Sequence, residues 1–172
     1  MRLNASVSTP SSSSFCLVAR TEKLWAEEIW RAHYGPLIGL AQVEYMLKGR
    51  YTAEKLRAYL GASDRWLRLL KLEAETIGYC SYALTTTPGE LKLEQLYLLE
   101  AFKGRGLGGL MMRHVEAEAR AHGCGTLMLT VNKGNTGSIA VYTKSGFTVR
   151  EEAVFDIGGG FVMDDYVMEK RL

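Results

Sequence analysis

The feature that most constrains the fold is a strand-like run that passes through a glycine-rich stretch into a helix. Leu96-Tyr97-Leu98-Leu99 is apolar and β-prone, Lys103-Gly104-Arg105-Gly106-Leu107-Gly108-Gly109 follows, and Leu110-Met111-Met112 opens an amphipathic segment. The first turn of a helix carries N–H groups with no partner inside the helix. Glycines let a ligand come close to that backbone, and the helix dipole adds partial positive charge there. Together these make an anion site, most often for phosphate or pyrophosphate. The junction predicts an α/β arrangement in which a strand delivers a phosphorylated ligand to a helix N-terminus.

Two familiar phosphate loops are candidates for these glycines. Gly104-Arg105-Gly106-Leu107-Gly108-Gly109 satisfies G-x-G-x-x-G, the dinucleotide fingerprint. That fingerprint calls for the first strand of a βαβ unit and an acid about 20 residues on. Here the loop follows a fourth predicted strand, and Thr126 to Asn132 carries no acid. It is not a Walker loop, because no G-K-S/T follows.

The rest of the chain reads as alternating strands and helices. Residues 1–14 are polar and serine-rich and are expected to form a disordered tail. Phe15 to Ala19 reads as a strand. Thr21 caps a helix that places Leu24, Trp25, Ile29 and Trp30 on one face, and Gly35-Pro36 is expected to break it. A second helical region covers Leu40 to Leu60, with Val43, Met46 and Leu47 as its buried stripe. Trp66 to Leu72, Ile77 to Leu84 and Leu91 to Leu99 read as strands separated by turns at Glu73–Thr76 and Pro88-Gly89.

Gly106 to His122 is the clearest helix, with Leu107, Leu110, Met111, Val115 and Ala119 at helical spacing; Gly123 and Gly125 end it. Thr126 to Val131 is a nearly continuous β-prone run, expected in the sheet centre. Thr136 to Ser145 is a short helix. Phe147 to Phe155 and Phe161 to Met168 form an antiparallel pair through Gly158-Gly159-Gly160. The order β-α-α-β-β-β-α-β-α-β-β, without repeat or linker, predicts one mixed α/β domain over residues 15–172.

Composition narrows the partners. With 21 basic and 19 acidic side chains the net charge is +2, which makes no electrostatic case for nucleic acid or a membrane surface. No apolar run approaches spanning length. Cys16, Cys80 and Cys124 are odd in number and form no C-x-x-C pair, so they read as reduced thiols of a cytoplasmic protein. His33, His114 and His122 lack metal-ligand spacing, so no metal is expected.

Two stretches together resemble the GNAT superfamily of N-acetyltransferases. Lys103-Gly104-Arg105-Gly106-Leu107-Gly108 resembles its R/Q-x-x-G-x-G/A loop, with Lys103 where Arg or Gln is usual. Asn135, followed by small residues, Tyr142 and Gly146-Phe147, resembles its second signature. The resemblance covers about residues 15 to 170. It implies a mostly antiparallel twisted sheet with one splayed parallel strand pair, flanked by helices, and transfer of an acetyl group from acetyl-CoA to an amine. By resemblance the amides of Lys103, Gly104, Arg105, Gly106, Leu107, Gly108 and Gly109 hold the pyrophosphate. The backbone near Leu98 meets the pantetheine and thioester, Asn135 steadies the cofactor, and the Tyr142 hydroxyl faces the sulfur.

Further roles follow from chemistry. A phenol can donate to a leaving thiolate, since thiol and phenol pKa values lie near 8.5 and 10. Glu94, on the strand leading into the loop, is the candidate base for the acceptor amine, ahead of Glu90. Tyr34, Tyr45, Asp164 and Asp165 are candidate acceptor-lining groups, for an amine such as a polyamine, amino acid or peptide amine. The late strands have exposed edges that would suit a homodimer. The competing functions are a nucleotide or dinucleotide binder using the same loop, and a non-catalytic acyl-CoA sensor.

Overall fold

The computed structural model describes residues 5–10, 27, 30–50, 59, 61–73 and 75–172. Within them, strands β1 (Ala5–Ser8), β2 (Arg65–Leu72), β3 (Glu75–Leu84), β4 (Glu90–Leu98), β5 (Thr126–Asn132), β6 (Thr148–Gly158) and β7 (Phe161–Arg171) form one seven-stranded sheet. The order is β1-β2-β3-β4-β5-β7-β6. Every neighbouring pair is antiparallel except β4–β5. The helices are α1 (helical residues 30–38), α2 (Leu40–Arg50), α3 (Leu107–Ala121) and α4 (Thr136–Lys144).

Helices cover both faces of the sheet. The stripe Met111, Val115 and Ala119 of α3 is fully buried against Leu93, Leu127 and Leu129. Each large apolar side chain so buried contributes about 1.5–3 kcal/mol. Trp30 of α1 and Val43, Met46 and Leu47 of α2 form a second core on the other face, reached by Tyr97 and Met163. The expected stripe of α2 is thus the buried one. His122 and Gly123 close α3 as predicted, with Gly123 at φ 72° in the left-handed conformation that ends helices.

Three local expectations need correction or bounding. Ala5–Ser8 lies within the stretch read as a disordered tail, yet pairs with β2 from Ala5↔Leu72 to Ser8↔Leu69. Edge pairing uses backbone groups that serine supplies as well as any residue, while Ala5 and Val7 pack onto the core. Gly35-Pro36 does not break α1, which runs to residue 38. The chain turns instead at Gly39, whose φ of 83° suits glycine, and whose N–H still bonds the Gly35 carbonyl at 3.0 Å. Phe15 to Ala19, the Thr21 cap, Cys16 and residues 51–58 lie outside the described residues.

The parallel pair opens partway along its length. β4 and β5 are paired from Glu90↔Thr126 to Leu93↔Leu129 and no further, although β4 runs to Leu98 and β5 to Asn132. The opening starts at a bulge. Ser81 faces Gln95 and Tyr82 faces Leu93, which leaves Glu94 as an extra residue. Bulges bend the strand that carries them, here away from β5. Gly78 supports the bent strand from β3, because a Cβ there would lie 2.5 Å from the Tyr97 carbonyl oxygen.

Candidate active site

The loop after β4 is shaped by its glycines. The chain makes one 3₁₀ turn at Glu100–Phe102. Gly104 and Gly106 then take φ of 73° and 76°, which β-substituted residues rarely adopt. Gly106 caps α3 with no side-chain bond. The first helical bond runs from Leu110 N–H to the Gly106 carbonyl at 3.2 Å. The N–H groups of Leu107, Gly108 and Gly109 precede it and project from the helix end. Gly108 has no unusual φ, and a Cβ there meets nothing within 4 Å. Neither conformation nor packing requires glycine at this position.

The cleft between the splayed strands continues from this loop. Leu99 N–H bonds the Ile77 carbonyl at 3.0 Å, on the β3 side. Successive N–H groups of an extended strand alternate edges, so Leu98 N–H turns to the open edge that faces β5. Asn135 caps α4, its Oδ1 accepting from Ser138 N–H at 3.2 Å, and is 5% exposed. Tyr142, two turns later, also lines the cleft and packs on Phe147 at 5.9 Å between ring centroids. Burial, with a smaller contribution from Tyr34, holds its hydroxyl well above the usual phenol range. Tyr142 is therefore a proton donor at any ordinary pH.

Helix α1 closes the other side. Trp30, His33 and Tyr34 share one helical face and line the cleft; the i, i+3, i+4 spacing is legible in sequence. His33 stands edge-on to Tyr34 at 4.9 Å. Burial foremost, then the Lys103 cation, push its imidazole below the usual histidine range, so it is neutral at pH 7. In sequence His33 is marked only by its lack of metal-ligand spacing. Lys103 itself is ion-paired to Glu100 at 2.6 Å, and Arg105 lies over the Phe102 ring at 5.3 Å.

These elements form a splayed parallel pair, a glycine-capped helix at one end and a half-buried tyrosine facing the gap. A model of the acetyltransferase (GNAT) family matches residues 25–147. The chain belongs to the GNAT family of acetyltransferases. PaiA N-acetyltransferase from Thermoplasma acidophilum, in complex with coenzyme A, shares the fold at a TM-score of 0.77 and 20% identity, over 98% of this chain and 99% of that one. Arabidopsis thaliana Naa50, in complex with a bisubstrate analogue, does so at 0.68 and 16%, over 98% and 99%.

Among relatives by sequence, the mycothiol acetyltransferase of Corynebacterium glutamicum is 41% identical over 66 residues, which are 37% of this chain and 23% of that protein. This chain thus matches less than a quarter of its length. The spermidine N(1)-acetyltransferase of Thermoplasma acidophilum is 25% identical over 150 residues, 85% of this chain and 86% of that one.

Within this GNAT cleft the acceptor candidates separate. Tyr34 lines it, and Glu94 lines it from the bulge, where its Oε2 accepts a bond from the Tyr59 hydroxyl at 2.7 Å. Burial and that bond raise the Tyr59 phenol above its usual range. Asp164 and Asp165 are adjacent on β7 and therefore face opposite ways. Asp165 is 5% exposed and lines the cleft, whereas Asp164 is exposed and ion-paired to Lys133.

Tyr45 is likewise not a cleft residue. Its hydroxyl donates to the Ile157 carbonyl at 2.9 Å and its ring packs on Phe161 at 5.2 Å, pinning the β6–β7 hairpin. Glu90, the weaker base candidate, is buried and paired with Arg150 at 2.6 Å. Among the described residues no cluster of His, Cys, Asp or Glu could hold a metal ion, and no helix is long and apolar enough to cross a membrane.

Proposed function

We propose that this GNAT chain transfers the acetyl group of acetyl-CoA to a primary amine by direct attack in the cleft between β4 and β5. The observation that carries the reading is the splayed β4–β5 cleft, lined by Lys103 of the loop, Asn135 and the half-buried Tyr142, beside a glycine-capped helix with open space over Gly108. Bound there, acetyl-CoA supplies an activated thioester. Lys103 N–H donates to the Glu100 carbonyl at 3.1 Å, so of the amides expected from Lys103 to Gly109 those of residues 104–109 are left to hold the pyrophosphate, as helix N-termini do for phosphates, while Asn135 and the free edge of β4 align the arm that follows. Leu98 N–H polarises the thioester carbonyl.

Proton traffic falls to two side chains. An alkyl ammonium must lose its proton before it attacks, which costs about 4.6 kcal/mol at pH 7 for a lysine-like amine. Glu94 takes that proton, directly or through a water. The nitrogen bonds the carbonyl carbon, the C–S bond breaks, and the Tyr142 hydroxyl donates to the departing sulfur. The relatives named for spermidine and streptothricin support an amine acceptor. Replacing Tyr142 by Phe is expected to lower kcat about tenfold or more with little change in coenzyme A binding, read by steady-state kinetics and calorimetry. Unchanged kcat removes Tyr142 from the chemistry.

A further inference from the structure

Building on that reading, in which Glu94 takes the proton of the acceptor amine, we propose that Tyr59 is the positioning residue that holds Glu94 in place to do so. The Tyr59 hydroxyl donates to Glu94 Oε2 at 2.7 Å, the length of a charge-assisted bond. The two residues are 35 positions apart in the chain, so only the fold brings them together.

Glu94 needs a tether because of where it sits. It is the extra residue of the β4 bulge, between the pairs Ser81–Gln95 and Tyr82–Leu93. A bulged residue has no partner of its own across the ladder. Glu94 lines the cleft but is exposed, and a glutamate held in one conformation loses rotamer freedom. Among the described residues, Tyr59 supplies the hydrogen bond that opposes that loss.

Tyr59 is anchored well enough to serve. Its ring packs on the cluster of Leu67, Leu69 and Tyr79, contributed by β2 and β3, and those three are nearly fully buried. The ring therefore rests on the sheet while its hydroxyl reaches the bulge. Arg65 of β2 acts on both side chains through its charge, and is itself paired with Asp64 at 3.1 Å.

The contact also divides the work of the carboxylate. Tyr59 engages Oε2, and Oε1 is left to accept the proton as the ammonium N–H bond breaks, directly or through a water. Burial and the bond to Glu94 raise the Tyr59 phenol above its usual range, so the phenol keeps its proton and donates throughout. Tyr59 does not line the cleft and acts on the reaction through Glu94. The benefit depends on the acceptor. At pH 7 about one lysine-like alkyl amine in 2,500 is already neutral, against about one α-amine in ten, so the alkyl amine relies more on a well-placed base.

The test uses the full chain, acetyl-CoA and thiol release at pH 7 with n-butylamine and with glycinamide, an α-amine. Tyr59→Phe keeps the ring and removes the donor. It should lower kcat/KM for butylamine about tenfold, the size of one charge-assisted bond, and for glycinamide clearly less. In a Glu94→Gln background the same substitution should have no further effect, because its partner is already altered. The rise in Tm with coenzyme A should be unchanged. An undiminished butylamine rate in Tyr59→Phe, an equal loss with both amines, or the same loss in the Glu94→Gln background overturns the inference and leaves acetyl transfer standing. So does a Glu94→Gln variant that loses nothing with either amine. If Tyr59→Phe fails to fold, Tyr59→Met, which also lacks a donor, is read by the same ratios. No thiol release with any amine overturns the acetyl-transfer reading itself.

Discussion

Gly108 separates what the fold needs from what the ligand needs, so its replacement by glutamate should move stability and binding in opposite directions. Position 108 lies in the first turn of α3, with ordinary helical φ and nothing within 4 Å of an added Cβ. Glutamate is a better helix former than glycine by about 0.5 kcal/mol. A carboxylate in the first turn adds about 0.3–1 kcal/mol through the helix dipole. Gly108→Glu should therefore be more stable by about 1 kcal/mol, or roughly 2–4 °C in Tm for a domain of this size.

Coenzyme A should respond in the reverse sense. The new carboxylate would lie where the pyrophosphate binds, and two like charges about 4 Å apart repel by about 4 kcal/mol at an effective dielectric of 20. At a concentration 100 times the wild-type Kd, coenzyme A stabilises wild type by about 2.7 kcal/mol. If affinity falls about a hundredfold, the same concentration stabilises the variant by only about 0.4 kcal/mol. Thermal unfolding of both proteins with and without coenzyme A reads both quantities at once. A variant that is less stable alone, or that keeps the full coenzyme A shift, refutes the reasoning.

Two further outcomes follow from the cited geometry. Because Tyr142 is held above the usual phenol range, it keeps its proton through about pH 9. The kcat/KM for an alkyl amine should then rise with pH as the neutral amine accumulates, with no falling limb below about pH 9; a falling limb that vanishes in Tyr142→Phe would show the hydroxyl ionising early. Arg150→Ala should cost about 2 kcal/mol, or roughly 4–8 °C in Tm, by leaving a charged partner uncompensated. That partner is Glu90, buried and bonded to Arg150 at 2.6 Å and to Thr85 at 3.0 Å; an unchanged Tm would show the pair contributes nothing.

What could be read from the sequence was what local chemistry dictates. The glycines before α3, its apolar stripe, the β-prone run of β5 and the Asn135–Tyr142 spacing each state their own conformation or face. What could not be read depends on partners far along the chain. Ala5–Ser8 is a strand because β2 offers an edge. Glu94 is a bulge residue because of its register with Ser81 and Tyr82. Asp164 and Asp165 differ by a single step in alternation, so only the sheet decides which one faces the cleft. Tyr45 is drawn away by a carbonyl 112 residues distant. The face shared by Trp30, His33 and Tyr34 is legible in their i, i+3, i+4 spacing, but that this face lines the cleft depends on where α1 packs.

The measurement that bears most directly on the central claim is mass spectrometry of an amine incubated with the protein and acetyl-CoA, with thiol release followed in the same tube. The account predicts an N-acetylated amine and free coenzyme A in equal amounts, both dependent on protein and both much reduced in Tyr142→Phe. Coenzyme A that binds and raises the Tm while no amine is ever acetylated would contradict it, and would leave the cleft as a binding site only.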